Sequence, residues 1–194
     1  MLRRFVILGL VANLAPGCGG SDRGSASPAA PTAAPPVLQT IAELTGIAVD
    51  TGPIAVGQSV TAPSGSFANL RFRFLVPNGG EPANGSLFLL NREYLGTPAG
   101  LNATTAGVLA STSRLENGEW IFEQGVTLPG GATYWFVTGS RMRVFTTPDG
   151  ARDFYAGGDV YTTGAENFPF NLFRPSSTAR IDALFQLRGG SSPQ

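Results

Sequence analysis

The stretch Asn69-Leu70-Arg71-Phe72-Arg73-Phe74-Leu75-Val76 decides the fold of this chain. Its apolar residues at positions 70, 72, 74 and 76 alternate with Asn69, Arg71, Arg73 and Leu75. Successive side chains of a β-strand point to opposite faces of a sheet. A period of two therefore predicts a strand over residues 69–76, with one face in a core and the other at a polar surface.

Short apolar runs continue on both sides of this stretch, separated by Gly, Pro, Asn and Asp clusters that favour turns. No segment carries the sustained apolar stripe of an amphipathic helix. Residues 40–44 fit either one helical turn or an opening strand. Further strands are predicted at residues 54–61, with an interruption at Gly57, and at 86–90, 108–115, 119–128, 133–138, 141–146, 155–162 and 180–187. This spacing predicts an all-β fold, an antiparallel, jelly-roll-like β-sandwich.

Residues 1–17 have the pattern of a secretory signal peptide. Arg3 and Arg4 form a basic head, an apolar run covers residues 5–15, and small residues follow. The apolar run is well short of the roughly 20 residues that a transmembrane helix needs. We therefore expect export, with cleavage between Gly17 and Cys18.

Cys18 is the only cysteine of the chain. Residues 14–18 (LAPGC) resemble the lipobox of bacterial lipoproteins, which implies that Cys18 becomes the lipidated first residue of the mature chain. The two or more acyl chains of such a cysteine suffice for stable anchoring to a membrane. Gly19 in place of aspartate resembles the pattern of outer-membrane lipoproteins, so we expect an exported lipoprotein of the cell envelope that is anchored to the outer membrane, on its periplasmic or its cell-surface face. The alternative is an ordinary cleavage site that leaves a free thiol.

The predicted domain organisation follows from a shift in composition. Residues 18–36 are mostly Gly, Ser, Ala and Pro, which predicts a flexible linker that holds the next domain away from the membrane. The β-sandwich domain is predicted at residues 37–190 and a disordered tail at residues 191–194.

The composition excludes several classes of function. The chain contains no histidine, which removes Ser-His-Asp and Cys-His catalysis and the commonest zinc ligand. Its 13 basic residues are all arginines, they balance 13 acidic residues, and no basic patch indicates a nucleic-acid partner. The sequence predicts no cofactor and no metal site.

Paired carboxylates are the remaining catalytic possibility. On a strand, the backbones of Glu119 and Glu123 would lie about 13 Å apart, whereas glycoside hydrolysis needs carboxyl groups about 5 to 9.5 Å apart. We therefore expect two solvated carboxylates on the outer face of a sheet. Asp149 and Asp153 flank a predicted turn, where capping fits them better than a shared cation. We expect no catalytic residues, and hence no enzyme.

Four stretches, in this order, resemble the jelly-roll modules of exported bacterial proteins known as the choice-of-anchor group: residues 57–63 (GQSVTAP), 128–137 (LPGGATYWFV), 155–161 (YAGGDVY) and 182–187 (DALFQL). The resemblance covers residues 47–187 and implies a non-catalytic β-sandwich that binds glycans or surface partners. It implies no catalytic residue.

Flat aromatic side chains beside polar groups suit the apolar C–H faces of sugar rings, so they carry the binding hypothesis. For each aromatic, packing in the core is the alternative, and for Trp120 it is the expectation. The predicted partner is a polysaccharide or an envelope protein, and a structural or assembly lipoprotein is the alternative function. The candidate ligand-binding residues are Trp135, Tyr155 and Tyr161, with Asn91, Arg92 and Asp159 as polar partners.

Overall fold

In the computed structural model, the structure describes residues 36–40, 49–63, 66–76, 85–122, 126–147, 155–165, 167–172 and 181–191. Within these ranges the only helical element is a short 3-10 turn at Pro98–Gly100, and no helix is long and apolar enough to cross a bilayer. The strands of the described residues are β1 (Val37–Thr40), β2 (Val49–Asp50), β3 (Ala55–Thr61), β4 (Ser66–Phe74), β5 (Leu87–Leu90), β6 (Val108–Thr112), β7 (Leu115–Glu116), β8 (Glu119–Ile121), β9 (Leu128–Pro129), β10 (Thr133–Thr138), β11 (Phe145–Thr146), β12 (Val160–Thr163), β13 (Asn171–Leu172) and β14 (Phe185–Ser191).

The strands form two main sheets, and every pairing within them is antiparallel. The first sheet has the order β1-β14-β4-β8-β7, with β9 also paired to β4. The second sheet has the order β13-β12-β3-β10-β5-β6, and β2 and β11 form a separate pair. The chain passes from the second sheet to the first between β3 and β4, and returns at β5. The prediction of an all-β antiparallel β-sandwich is confirmed.

The main core lies between the two sheets and takes alternate residues from both. Phe72 of β4 stacks on Phe136 of β10, with ring centroids 4.3 Å apart, and so joins the sheets. Trp120 is fully buried, as expected, and its indole N–H donates to the carbonyl oxygen of Gly85 at 3.1 Å. Burial of a large apolar side chain contributes about 1.5 to 3 kcal/mol, so these facing aromatic rings account for much of the cohesion of the sandwich.

A second, smaller cluster lies on the opposite face of the second sheet, and we name it the outer cluster. The sheet contributes alternate residues of β3, β5, β10 and β12, which point away from the main core because strand side chains alternate. Two residues from segments 91–107 and 167–172 complete it. Its buried members are Ala55, Phe88, Leu90, Leu101, Val137, Tyr161 and Phe170.

Strand β4 confirms the alternation on which the fold prediction rests. Leu70, Phe72 and Phe74 are buried, whereas Val76 lies beyond the end of the strand and is only partly buried. Near its start the strand bends at Asn69, which has a φ of 53°, and there its pairing with β14 shifts register. This β-bulge lets β4 pair with β9 before the bend and with β8 after it.

Several predicted strand limits were wrong. Gly57 does not interrupt β3, because the strand pairs through it with both β10 and β12. The predicted strand 155–162 begins only at Val160, since the residues before it bond to β3 through isolated backbone contacts. Strand β14 includes Ser191, the first residue of the predicted tail. The predicted strand 119–128 is replaced by the two short strands β8 and β9.

The solvated carboxylate expected at Glu119 is also a wrong prediction. Glu119 is buried, because the guanidinium groups of Arg71 and Arg188 lie over it. Its predicted companion Glu123 lies outside the described residues, as do Asp149 and Asp153.

Candidate functional site

Trp135 and Tyr161 lie on the same face of the second sheet, where the outer cluster is. Both β10 and β12 pair with β3, which places Trp135 opposite Ser59 and Tyr161 opposite Gly57. The side chain of Tyr161 is buried in the outer cluster, and Trp135 packs against the cluster while remaining partly exposed. Gly57 lies between Val137 and Tyr161, and a Cβ there would lie 3.2 Å from Val137 Cγ2, so the glycine keeps this part of the face open.

The surroundings of Tyr161 strongly favour its neutral form. Burial, together with the carboxylates of Glu93 and Asp159, raises the pKa of its phenol to about 12, although the nearby Trp135 side chain lowers it in part. The indole nitrogen of Trp135 is itself buried and makes no hydrogen bond. The two predicted aromatics therefore place polar groups beside an apolar cluster, with the acidic side chain of Glu93 near the phenol.

Asn91 and Arg92 begin the long loop that follows β5, and both are exposed. The Asn91 N–H donates to the carbonyl oxygen of Gly107 at 3.0 Å, and Arg92 Nε donates to the carbonyl oxygen of Ala106 at 3.1 Å. These contacts close the loop 91–107 at its base. Both residues thus stand at the rim of the outer cluster, with their polar groups at the surface.

Asp159 is held in place by its backbone. Its N–H donates to Ser59 Oγ at 2.7 Å, and its carbonyl oxygen accepts from the Ser59 N–H at 2.9 Å. This close approach requires the neighbouring Gly158, because a Cβ at that position would lie 1.8 Å from the Ser59 carbonyl oxygen. The segment before β12 is therefore fixed against β3, which positions Tyr161.

Tyr155 lies elsewhere, in the main core between the sheets. Its ring packs edge-on against Phe185, with centroids 5.4 Å apart, and its hydroxyl accepts from the Thr61 N–H at 3.0 Å. The structure therefore brings together Trp135, Tyr161 and Asp159, places Asn91 and Arg92 at the rim, and separates Tyr155 from this group by the second sheet.

Sequence reasoning missed the residues of this face that are most exposed. Phe168 is 66% exposed and Leu95 is 52% exposed, both large apolar side chains. Their loops are joined where the Phe170 N–H donates to the Gly96 carbonyl oxygen at 3.0 Å, and where the Tyr94 and Phe170 rings meet edge-on at 6.1 Å. The available signal was the sequence Asn-Phe-Pro-Phe at 167–170, where two aromatic residues stand in a stretch otherwise typical of turns.

The side chains of this face are mainly apolar and aromatic. In the described part of the chain, no group of three or more acidic, cysteine or histidine side chains is placed to hold a metal ion. The face combines exposed apolar side chains, the aromatic rings of Trp135, Tyr161 and Phe170 beneath them, and the polar groups of Asn91 and Glu93. No protein-family model and no curated protein matches the sequence, so these residues are the basis for inferring its function.

Proposed function

We propose that this chain is an exported, lipid-anchored β-sandwich module of the bacterial cell envelope that binds a glycan or another surface component without catalysing a reaction. One observation carries the binding part of this proposal. Phe168 exposes two thirds of its surface beside the aromatic outer cluster, although burial would be favourable for such a side chain. An apolar aromatic ring held at the surface by a bonded loop pair is a suitable contact for a sugar ring.

The polar side chains at the rim of the outer cluster fit the same ligand class. Sugar-binding surfaces combine an aromatic ring for the C–H face with side chains that bond the hydroxyl groups. Asn91, Arg92 and Glu93 are exposed at the rim and can serve as donors and acceptors. Trp135 and Tyr161 then support the loops from below, and only Trp135 retains some exposed surface of its own.

The anchoring part of the proposal depends on residues 1–18, which lie outside the described residues. We expect the cell to incorporate radiolabelled palmitate into the protein, and the Cys18→Ser variant to incorporate none. Labelling that survives in Cys18→Ser would contradict lipidation at this residue.

The absence of catalysis is proposed from the chemistry of the chain. It has no histidine, and the buried carboxylate of Glu119 is occupied by two arginines, so it is poorly placed to act as a general acid. We expect no turnover of any polysaccharide that the protein binds, measured as reducing sugar released over time.

A glycan array tests the binding function directly. We expect the sandwich to bind one class of polysaccharide and the Phe168→Ala variant to lose that binding. The matched control is Leu109→Ala, which removes a side chain that is 45% exposed on the edge strand β6 and belongs to neither loop. Binding that is equal in all three proteins would contradict the proposed surface.

A structural or assembly lipoprotein is the second candidate function. The observation that favours it is Leu95, because an exposed aliphatic side chain offers little to a sugar and fits an apolar pocket of a partner protein. Two results together would favour this candidate. Crosslinking in whole cells would give one envelope protein, and that crosslink would be lost in Leu95→Ser. The glycan array would show no binding to any glycan.

A further inference from the structure

A row of cationic side chains lies on the outer face of the first sheet, on the side of the sandwich opposite to the outer cluster. Because Phe72 and Phe74 point into the main core, Arg71 and Arg73 of β4 point away from it. On β14, Arg188 stands directly opposite Arg71. We name Arg71, Arg73 and Arg188 the arginine strip.

Among the described residues, a single carboxylate lies beside the arginine strip. Like charges directly opposite each other on paired strands destabilise a sheet. Glu119 of β8 offsets this in part, with Oε1 lying 3.2 Å from Arg188 Nε and Oε2 lying 3.9 Å from Arg71 Nη1. Three guanidinium groups against one carboxylate leave two positive charges uncompensated among these residues.

One hydrogen-bond donor of this face also lacks an acceptor. Arg73 Nε is buried and makes no hydrogen bond, which is costly for a charged donor. Gln186 stands opposite Arg73 on β14, but its Oε1 accepts from Arg188 Nε at 3.0 Å. The unsatisfied donor therefore lies beside a side chain whose oxygen is already directed to Arg188.

We propose that the arginine strip binds a doubly charged oxyanion, the phosphate monoester of a ligand or a free phosphate or sulfate ion. Such a group carries close to the two negative charges that the strip lacks, and it offers several oxygens to donors that diverge from a flat sheet. A guanidinium group binds such an oxyanion through two parallel hydrogen bonds, whereas the ammonium group of a lysine acts only as a point charge. The side chains of Arg71 and Arg188 remain 27% and 25% exposed, so a ligand can reach them from solvent.

The test follows the arginine Nε–H signals by heteronuclear NMR while sodium phosphate or sodium sulfate is added, with sodium chloride at matched ionic strength as the reference. We expect a saturable downfield shift of the Arg73 signal with phosphate or sulfate and none with chloride. The salt whose shift saturates at the lower concentration contains the preferred anion. A shift that is linear in all three salts, or no shift, would overturn the proposal.

Two variants of equal charge separate a site from general charge screening. Arg73→Gln should weaken binding at least about tenfold, the loss of one charge-assisted hydrogen bond. Arg141→Gln should leave binding unchanged, since Arg141 is exposed and donates to the Pro53 carbonyl oxygen instead. Equal weakening in both variants would overturn the proposal.

A third variant keeps the test decisive if Arg73→Gln does not fold. Glu119→Gln removes the carboxylate that competes for Arg71 and Arg188, so oxyanion binding should tighten by about tenfold or more. Binding that weakens in Glu119→Gln would show that the carboxylate belongs to the site rather than competing with the ligand, and would contradict the charge argument.

Discussion

The side chain of Gln58 crosses the main core and bonds the backbone of Ala183, joining the two sheets. Gln58 lies on β3 of the second sheet, and Ala183 lies just before β14 of the first. Gln58 Oε1 accepts from the Ala183 N–H at 3.0 Å, and its Nε2 donates to the carbonyl oxygen of Ser59 at 3.0 Å. Both ends of a fully buried amide are thus satisfied.

Gln58→Leu should therefore destabilise the sandwich although it adds an apolar side chain to an apolar core. The substitution leaves the Ala183 N–H buried without an acceptor, which costs about 1 to 3 kcal/mol in free energy of unfolding. Urea denaturation followed by tryptophan fluorescence measures the change. An unchanged free energy of unfolding would mean that Gln58 does not tie the sheets together.

Gly158→Ala should prevent stable folding, because its Cβ would lie 1.8 Å from the backbone oxygen of Ser59, and the two backbone segments are held together by hydrogen bonds between Ser59 and Asp159. The matched control is Gly164→Ala, where a Cβ meets nothing within 4 Å. The control should be neutral or stabilise by up to about 1 kcal/mol through the unfolded state. Thermal unfolding measures both, and similar midpoints for the two variants would refute the close contact.

Asn69 occupies the left-handed backbone region at the bulge of β4. Asn69→Val should cost about 1 to 2 kcal/mol, since a β-branched side chain is strained at positive φ. Asn69→Gly should cost far less, because glycine adopts this conformation freely. Equal free energies of unfolding for the two variants would show that β4 is not bent at this residue.

The stability of the protein should fall at alkaline pH because of its tyrosines. The chain has no lysine and four tyrosines, and burial raises the pKa of each one, that of Tyr161 to about 12. An unfolded tyrosine ionises near pH 10, so between pH 10 and 12 the unfolded chain loses protons that the folded chain keeps. The free energy of unfolding therefore decreases as the pH rises through this window.

Tyr161 should contribute about 2 to 3 kcal/mol of that decrease. The Tyr161→Phe variant should show a shallower decline of the urea midpoint between pH 10 and 12, while the other tyrosines maintain part of it. A slope identical to that of the unmodified protein would contradict the burial of this phenol.

The alternation of side chains made much of the fold predictable. At residues 69–76, a period of two identified the strand β4, whose apolar members at 70, 72 and 74 line the main core. This alternation can be read from the sequence because the residues that face the core recur at every second position of the same strand. The predicted strand 180–187 was right only in part, because β14 begins at Phe185. The limits at residues 155–162 were mispredicted because Asp159 and Gly157 bond to β3, a partner about 100 residues away that local sequence does not reveal.

The candidate site was only partly predictable, for a similar reason. Residues 134–137 are apolar at every position, since Tyr134 and Phe136 face the main core while Trp135 and Val137 face the outer cluster. The outward-facing residues of β10 are apolar because the loops 91–107 and 167–172 cover them, and a pattern within one strand does not reveal such a cover. Glu119 was mispredicted because the arginines that bury it come from β4 and β14.

The most direct test of the central claim is the affinity for the polysaccharide that the glycan array identifies, measured by isothermal titration calorimetry. Truncation of a central aromatic contact commonly costs 2 kcal/mol or more, so Phe168→Ala should weaken binding by at least about tenfold. Leu109→Ala should bind as the unmodified protein does. Undiminished affinity in Phe168→Ala, or an equal loss in both variants, would contradict binding at the outer cluster.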